Sequence, residues 1–139
     1  MRGSAADPAY LLQIIRYCEF TKRAITKIDA DYRKFIDEDD RLVLDSCALY
    51  VGQIGECANK LTAEFKTKHS GIPWRQIIDL RNRIVHDYIS VDTEILWEIV
   101  LNDVPRLGEQ CRIILEEIAP TMAESLSAID RSIIEGSIQ

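Results

Sequence analysis

The sequence predicts an all-α chain, an up-and-down four-helix bundle whose last helix is kinked. Three observations carry this. Apolar residues recur at intervals of three and four, the period of one helix face. Apolar–polar alternation never persists, and no Asn-Gly or Asp-Gly hairpin signal occurs. The 6 glycines and 4 prolines among 139 residues are few, which leaves long stretches free of helix breakers.

The first helix is expected over residues 8–30. Asp7 stands as its cap and Pro8 suits its first turn. Leu11, Ile14, Cys18, Ile25 and Ile28 mark one stripe, with Thr21 filling the gap. The acidic run Asp37-Glu38-Asp39-Asp40 suits the positive end of the next helix. That second helix is expected over residues 40–67. Leu44, Cys47, Val51, Ile54, Ala58, Leu61 and Phe65 form a heptad seam along it. Gly52 and Gly55 sit beside the seam, each costing roughly 1 kcal/mol relative to alanine inside a helix. The usual return on such a cost is close approach of another backbone.

His69-Ser70-Gly71 breaks the pattern, and Pro73 opens a third helix that runs to about Tyr88. Trp74, Ile77, Ile78, Ile84 and Val85 give its apolar side. Ser90-Val91-Asp92 caps a fourth helix, with Ile95, Leu96, Ile99 and Val100 inward. Pro105 lacks the N–H that a helix interior needs. A kink or break is therefore expected near Asn102-Asp103, before a continuation through Leu107, Cys111, Ile114, Leu115 and Ile118. Residues 7–118 make one helical domain. Residues 119–139 form a tail, either a short helix on Leu126, Ile129 and Ile133 or partly disordered. Residues 1–6, opening Met1-Arg2-Gly3-Ser4, resemble a vector-derived leader.

A net charge of −6 argues against a general nucleic-acid coat protein, which usually shows an excess of Lys and Arg. The charge is uneven. Between residues 60 and 83, Lys60, Lys66, Lys68, Arg75, Arg81 and Arg83 face only Glu64 and Asp79. This stretch is either a local phosphate-binding surface or a solvated loop and helix face. Cys18, Cys47, Cys57 and Cys111 form no CxxC pair and fall on or beside apolar positions. They are expected to be small buried hydrophobes of a reducing cytosol. With 2 histidines and no paired cysteine, no metal site is expected. No apolar run approaches the ~18 residues of a membrane span, and no signal peptide is evident, so a cytoplasmic protein is expected.

The chemistry-bearing segment is Arg81-Asn82-Arg83-Ile84-Val85-His86-Asp87-Tyr88. On a wheel at ~100° per residue with Trp74 at zero, Ile77, Ile78, Leu80, Ile84 and Val85 span an arc centred near 320°. Arg81 at about 340° and Tyr88 at about 320° fall inside that arc, while Asn82 and His86 form an i, i+4 pair on its flank. A guanidinium in an apolar stripe is expensive unless it is paired or lines a polar cleft. Arg81 could equally lay its methylenes over the core and bond a carboxylate. His86 would also suit a helix C-terminus for its charge alone.

Arg81, four intervening residues, His86, one residue and Tyr88 match the RX4HXY motif of HEPN-domain proteins. The flanking segments narrow the resemblance to the HepT-like branch, toxins paired with minimal nucleotidyltransferase antitoxins. These segments are Tyr10-Leu11-Leu12-Gln13-Ile14-Ile15, Ile54-Gly55-Glu56-Cys57, Ile72-Pro73-Trp74, Val91-Asp92, Trp97 and Asp103-Val104-Pro105-Arg106-Leu107. The likeness spans roughly residues 8–118. Two departures are Cys57, where a small alanine is usual, and the tail beyond Pro120, which has no counterpart.

The resemblance implies a HEPN-like bundle that dimerises along the motif helices. It also implies RNA cleavage without a metal or other cofactor, at a cleft shared by two chains. Arg81 and His86 would be catalytic, with Asn82, Arg83, Asp87 and Tyr88 supporting or binding RNA. Tyr88 would also be the hydroxyl to which the antitoxin transfers AMP. Metal-free cleavage needs a base for the 2′-OH, an acid for the 5′ leaving oxygen and a cation for the phosphorane. Histidine can give or take a proton near neutrality, and arginine forks onto phosphate oxygens. Arg81 and His86 lie ~140° apart on an ideal helix, so either the helix bends near His86 or a partner chain completes the site. Asp87 and Glu56 are both candidates to orient His86 or pair with Arg81. The alternative reading is a non-catalytic, nucleotide- or partner-binding helical subunit of a nucleotidyltransferase.

Overall fold

The computed structural model of the chain describes residues 5–126. The expected leader residues 1–4 and the tail positions Ile129 and Ile133 lie outside the described residues. The elements are α1 (Asp7–Lys27), α2 (Tyr32–Phe35), α3 (Leu42–Lys60), α4 (Ala63–Lys68) and α5 (Trp74–Asp87). A 3₁₀ turn (Tyr88–Ser90) leads to α6 (Thr93–Glu98), a π turn (Ile99–Asp103) and α7 (Val104–Ile118). Residues 120–126 are helical again. The class is all-α, with α1, α3, α5 and the α6–α7 rod as the four long members.

Helix α3 is central: one side packs on α1 and the other on α5, while α1 also packs on α7. The stripes read from the sequence make these contacts. All seven residues of the α3 seam, Leu44 to Phe65, are buried, as are Leu11, Ile14, Cys18, Thr21 and Ile25 of α1. Neighbours run antiparallel. Asp7 at the start of α1 meets Thr62 just past the end of α3. Along α5, Ile77 and Arg81 face Gly55, and Ile84 faces Gly52. Gly55 thus does what its cost suggested and lets α5 approach α3 closely, whereas a Cβ at Gly52 would meet only the Ile84 methyl at ordinary contact distance.

Asp7 is not the cap that the sequence suggested. Ala6 holds the cap position with no side-chain hydrogen bond. Asp7, only 4% exposed, instead accepts from the Thr62 N–H at 2.9 Å and the Thr62 hydroxyl at 2.7 Å. Thr62 in turn caps α4 by accepting from the Phe65 N–H. This relay ends α3 at Lys60, so the helix expected over residues 40–67 is two helices with one continuous buried face. An Asp7→Ala variant strands the Thr62 donors at the bottom of the bundle. A loss of about 1–3 kcal/mol is expected in urea unfolding.

Helix α2 was not foreseen; its four residues are too few to show a period. Asp31 caps it, and Phe35, fully buried, stacks on Trp97 at 4.8 Å. Pro105 disturbs the helix where expected, but as a π turn rather than a break. The rod is continuous from Thr93 to Ile118, but it widens to a π turn in which the Val104 N–H reaches the Ile99 carbonyl. The wider turn absorbs the i−4 bond that Pro105 cannot make. Asp92 caps α6 as expected, accepting from the Glu94 N–H at 2.8 Å. Ile95, expected inward, is 53% exposed because it faces a groove rather than the core. Leu126, expected on the tail helix, is buried.

The four cysteines are free and buried. Burial pushes the Cys47 and Cys111 thiols up to about 12, so both are neutral packing groups.

Candidate active site

Helix α5 rests chiefly on α3, and its motif residues divide between that seam and the surface. Arg81 is inside the seam. Its Cβ lies against Gly55, and its guanidinium reaches Glu56 Oε2 at 2.7 Å. It also donates to the side chain of neighbouring Asn82 at 2.9 Å. Arg81 and Glu56 side chains are 27% and 30% exposed, so the pair is more shielded than an ordinary surface ion pair. Of the two candidate partners, Glu56 holds Arg81; Asp87 is exposed at the end of α5, and its side chain makes no hydrogen bond or ion pair with Arg81 or His86.

His86 and Asn82 are exposed on the flank of α5. His86 makes no hydrogen bond or ion pair with any described residue. Helix α5 stays α-helical through Asp87, where the backbone turns away at φ −157°. A bend at His86 therefore does not bring it to Arg81 within this chain. Arg83 is also exposed, but it lines a groove of about 470 Å³ between α5 and the α6–α7 rod. That groove, walled by Leu80, Ile95, Ile99 and Leu107, touches neither Arg81 nor His86. Arg81 and Arg83, roughly 160° apart on a helix, do not act as a pair here.

Tyr88 follows α5 and is half-buried. Its hydroxyl donates to Asp45 Oδ1 on α3, and Arg41 donates to the Tyr88 oxygen at 3.3 Å. Arg41 also pairs with Asp45 at 3.3 Å and lies 6.0 Å from the Tyr88 ring centre. Burial, then the hydrogen bond to Asp45, push the phenol above its ordinary value, against the opposing pull of Arg41. At neutral pH Tyr88 is therefore a protonated donor.

The reading of the sequence did not pick out Asp45 and Arg41. A signal was available. Asp45 and Glu56 are 11 positions apart and Arg81 and Tyr88 are 7 apart, so on ideal helices each pair lies within ~20° of one line. Two acids on one edge of α3 thus meet Arg81 of α5 and Tyr88 of the turn that follows it. The acids only become partners once the antiparallel register is known.

The same flank carries uncovered apolar side chains. Val85 is 57% exposed and Ile89 97% exposed beside the motif, and Leu42 and Leu49 on the adjoining edge of α3 are 73% and 59% exposed. The basic segment, in contrast, does not gather there. Lys60 pairs with Glu56, while Lys66 donates to the Ala58 carbonyl near the end of α3, at the Trp74 end of α5. Among the described residues no group of three or more His, Cys, Asp or Glu is placed to hold a metal ion. No helix of the described residues is long and apolar enough to cross a membrane.

The site defines a helical bundle in which Arg81 and His86 of α5, and Tyr88 just after it, stand on a helix packed against the Gly52–Gly55 side of α3. The comparison with family models makes this specific: the "Ribonuclease HepT-like" model matches residues 13–114, and the chain belongs to that ribonuclease family. A protein of Caldanaerobacter subterraneus subsp. tengcongensis named as an RNase is 32% identical over 108 residues, 78% of this chain and 93% of the relative. A Methanocaldococcus jannaschii protein, also named as an RNase, is 31% identical over 96 residues, 69% of this chain and 81% of the relative. A Thermococcus cleftensis protein bearing the name ribonuclease HepT is 32% identical over 94 residues, 66% of this chain and 86% of the relative. No solved structure matches the chain significantly.

Proposed function

We propose that this chain is the toxin of a toxin–antitoxin pair: a cytoplasmic, homodimeric endoribonuclease that cleaves tRNA or mRNA without a metal. Arg81 and His86 are its catalytic residues. The observation that carries this reading is the division of the motif. Arg81 is fixed in the α3 seam, His86 stands exposed and unpartnered among the described residues, and an uncovered apolar strip runs beside both. One chain offers one such histidine, whereas in-line attack by a 2′-OH needs a base and an acid. Two chains joined across Val85, Ile89, Leu42 and Leu49 bring two histidines to one cleft by symmetry. Arg81 then has its guanidinium beside the scissile phosphate, with Asn82 as a further donor, while Arg83 is left to meet RNA outside the cleft. The products are a 2′,3′-cyclic phosphate and a 5′-hydroxyl.

The antitoxin is a minimal nucleotidyltransferase that places AMP on Tyr88. The added phosphodiester brings negative charge and bulk to a site built for an anion, so RNA is repelled.

The Arg81–Glu56 ion pair favours a second reading, because it satisfies the arginine with no RNA at all. There the chain is a non-catalytic, nucleotide- or partner-binding subunit of a nucleotidyltransferase, and Arg81 is structural. Incubating end-labelled total tRNA with the protein in EDTA separates the two. Intact mass must first show Tyr88 free of AMP. EDTA-resistant cleavage to cyclic-phosphate ends is the expected result, with adenylylated protein inactive. Intact tRNA and mRNA after exposure to unmodified protein would establish the binding subunit instead.

A further inference from the structure

We propose that Asp45 is the proton acceptor that makes Tyr88 a nucleophile for adenylyl transfer, with Arg41 as its positioning partner. The proposal rests on the reading of Tyr88 as the site of modification, and it assigns residues of the acceptor chain itself to that reaction.

The three side chains come from two segments distant in sequence: Arg41 and Asp45 from the start of α3, and Tyr88 from the turn after α5. They form a closed triangle. The phenol donates to Asp45 Oδ1, Arg41 donates to the phenol oxygen at 3.3 Å, and Arg41 pairs with the same Asp45 oxygen at 3.3 Å. Arg41 and Asp45 side chains are 46% and 51% exposed, so a partner protein can approach the hydroxyl. Exposed contacts of this kind add little to stability. Their consequence is directional: the phenol proton already points at a carboxylate.

A neutral phenol is a poor nucleophile, and a positioned base is the usual remedy. In the proposed step the Tyr88 oxygen attacks the α-phosphorus of ATP held by the nucleotidyltransferase. The new O–P bond forms as the bond from that phosphorus to the pyrophosphate oxygen breaks. Pyrophosphate leaves, and the phenol proton passes to Asp45. The product is a phosphodiester with one negative charge. Asp45 loses its donor, and Arg41, already beside the tyrosine oxygen, is placed to neutralise the new charge.

The test uses the full chain with a minimal nucleotidyltransferase, magnesium and ATP labelled at the α-phosphate. Transfer is followed by mass and mapped by peptide analysis. Wild type should gain AMP on Tyr88. Asp45→Asn keeps the shape and removes the base; its kcat should fall about a hundredfold with the KM for ATP unchanged. Asp45→Glu should recover part of that loss. Arg41→Gln should slow transfer about tenfold. Circular dichroism melts matching wild type would exclude misfolding as the cause. Labelling of Asp45→Asn at the wild-type rate overturns the role of Asp45 and leaves Tyr88 as the modified residue. No label on wild-type Tyr88 overturns the adenylylation reading, and this proposal falls with it.

Discussion

Replacing His86 with alanine is expected to lower RNA cleavage between about a hundredfold and ten-thousandfold, the range for loss of a general acid or base. Its melting temperature should be unchanged. The imidazole is exposed and makes no hydrogen bond or ion pair with a described residue, so its loss belongs with surface substitutions that move stability by less than about 0.5 kcal/mol. This separation makes His86 a cleaner probe than Arg81. An Arg81→Ala change removes the 2.7 Å partner of Glu56 and leaves that shielded carboxylate only the longer, 3.8 Å contact with Lys60. It should lower stability as well as activity, and activity loss alone would not show that the guanidinium touches RNA. Cleavage that persists unchanged in purified His86→Ala protein would sink the catalytic assignment.

The second large effect is expected at Gly55. A Cβ built there lies 2.9 Å from the Ile77 carbonyl oxygen and well inside contact distance of the Arg81 Cβ. Neither neighbour is the free end of a flexible side chain, so α5 must move outward from α3. Gly55→Ala should therefore cost about 1–3 kcal/mol in spite of alanine's better helix propensity. For a chain of this size that is a fall of about 3–10 °C in melting temperature. Arg81 moves with α5 and away from Glu56, so cleavage should fall too. Gly52→Ala is the control. Its Cβ would meet only the Ile84 methyl at 3.7 Å, an ordinary contact. It should be neutral or stabilising by up to about 1 kcal/mol. Equal destabilisation by both changes would mean that close backbone approach is not the reason for Gly55.

Much of this was legible in the residues because helix periodicity is local. The α3 seam needs only its own spacing of three and four to declare a buried face. Pro105 carries its disturbance in its own ring, and the π turn appears one residue before α7. Arg81 could be recognised as misplaced because the wheel set it among Ile77, Ile84 and Val85. Other readings failed where local preference competed with distant partners. Asp7 has the chemistry of a cap, but a stronger pair of donors on Thr62 captures it. The helix across Leu61 and Thr62 continues in hydrophobic pattern and stops in backbone, since apolar spacing reports burial and not hydrogen bonding. The basic segment is contiguous in sequence but divided among α3, α4 and α5.

The residues alone were enough for the four long helices, their buried stripes, the glycine of the close approach and the Arg81–His86–Tyr88 motif with its family. What those residues meet emerged with the packing of the helices: Glu56 for Arg81, Asp45 and Arg41 for Tyr88, open solvent for His86. The reason is that a helix face is set by neighbours three and four residues away. A charged partner is set instead by the antiparallel register of α3 against α5, which depends on packing at Gly52 and Gly55 and which no local pattern encodes.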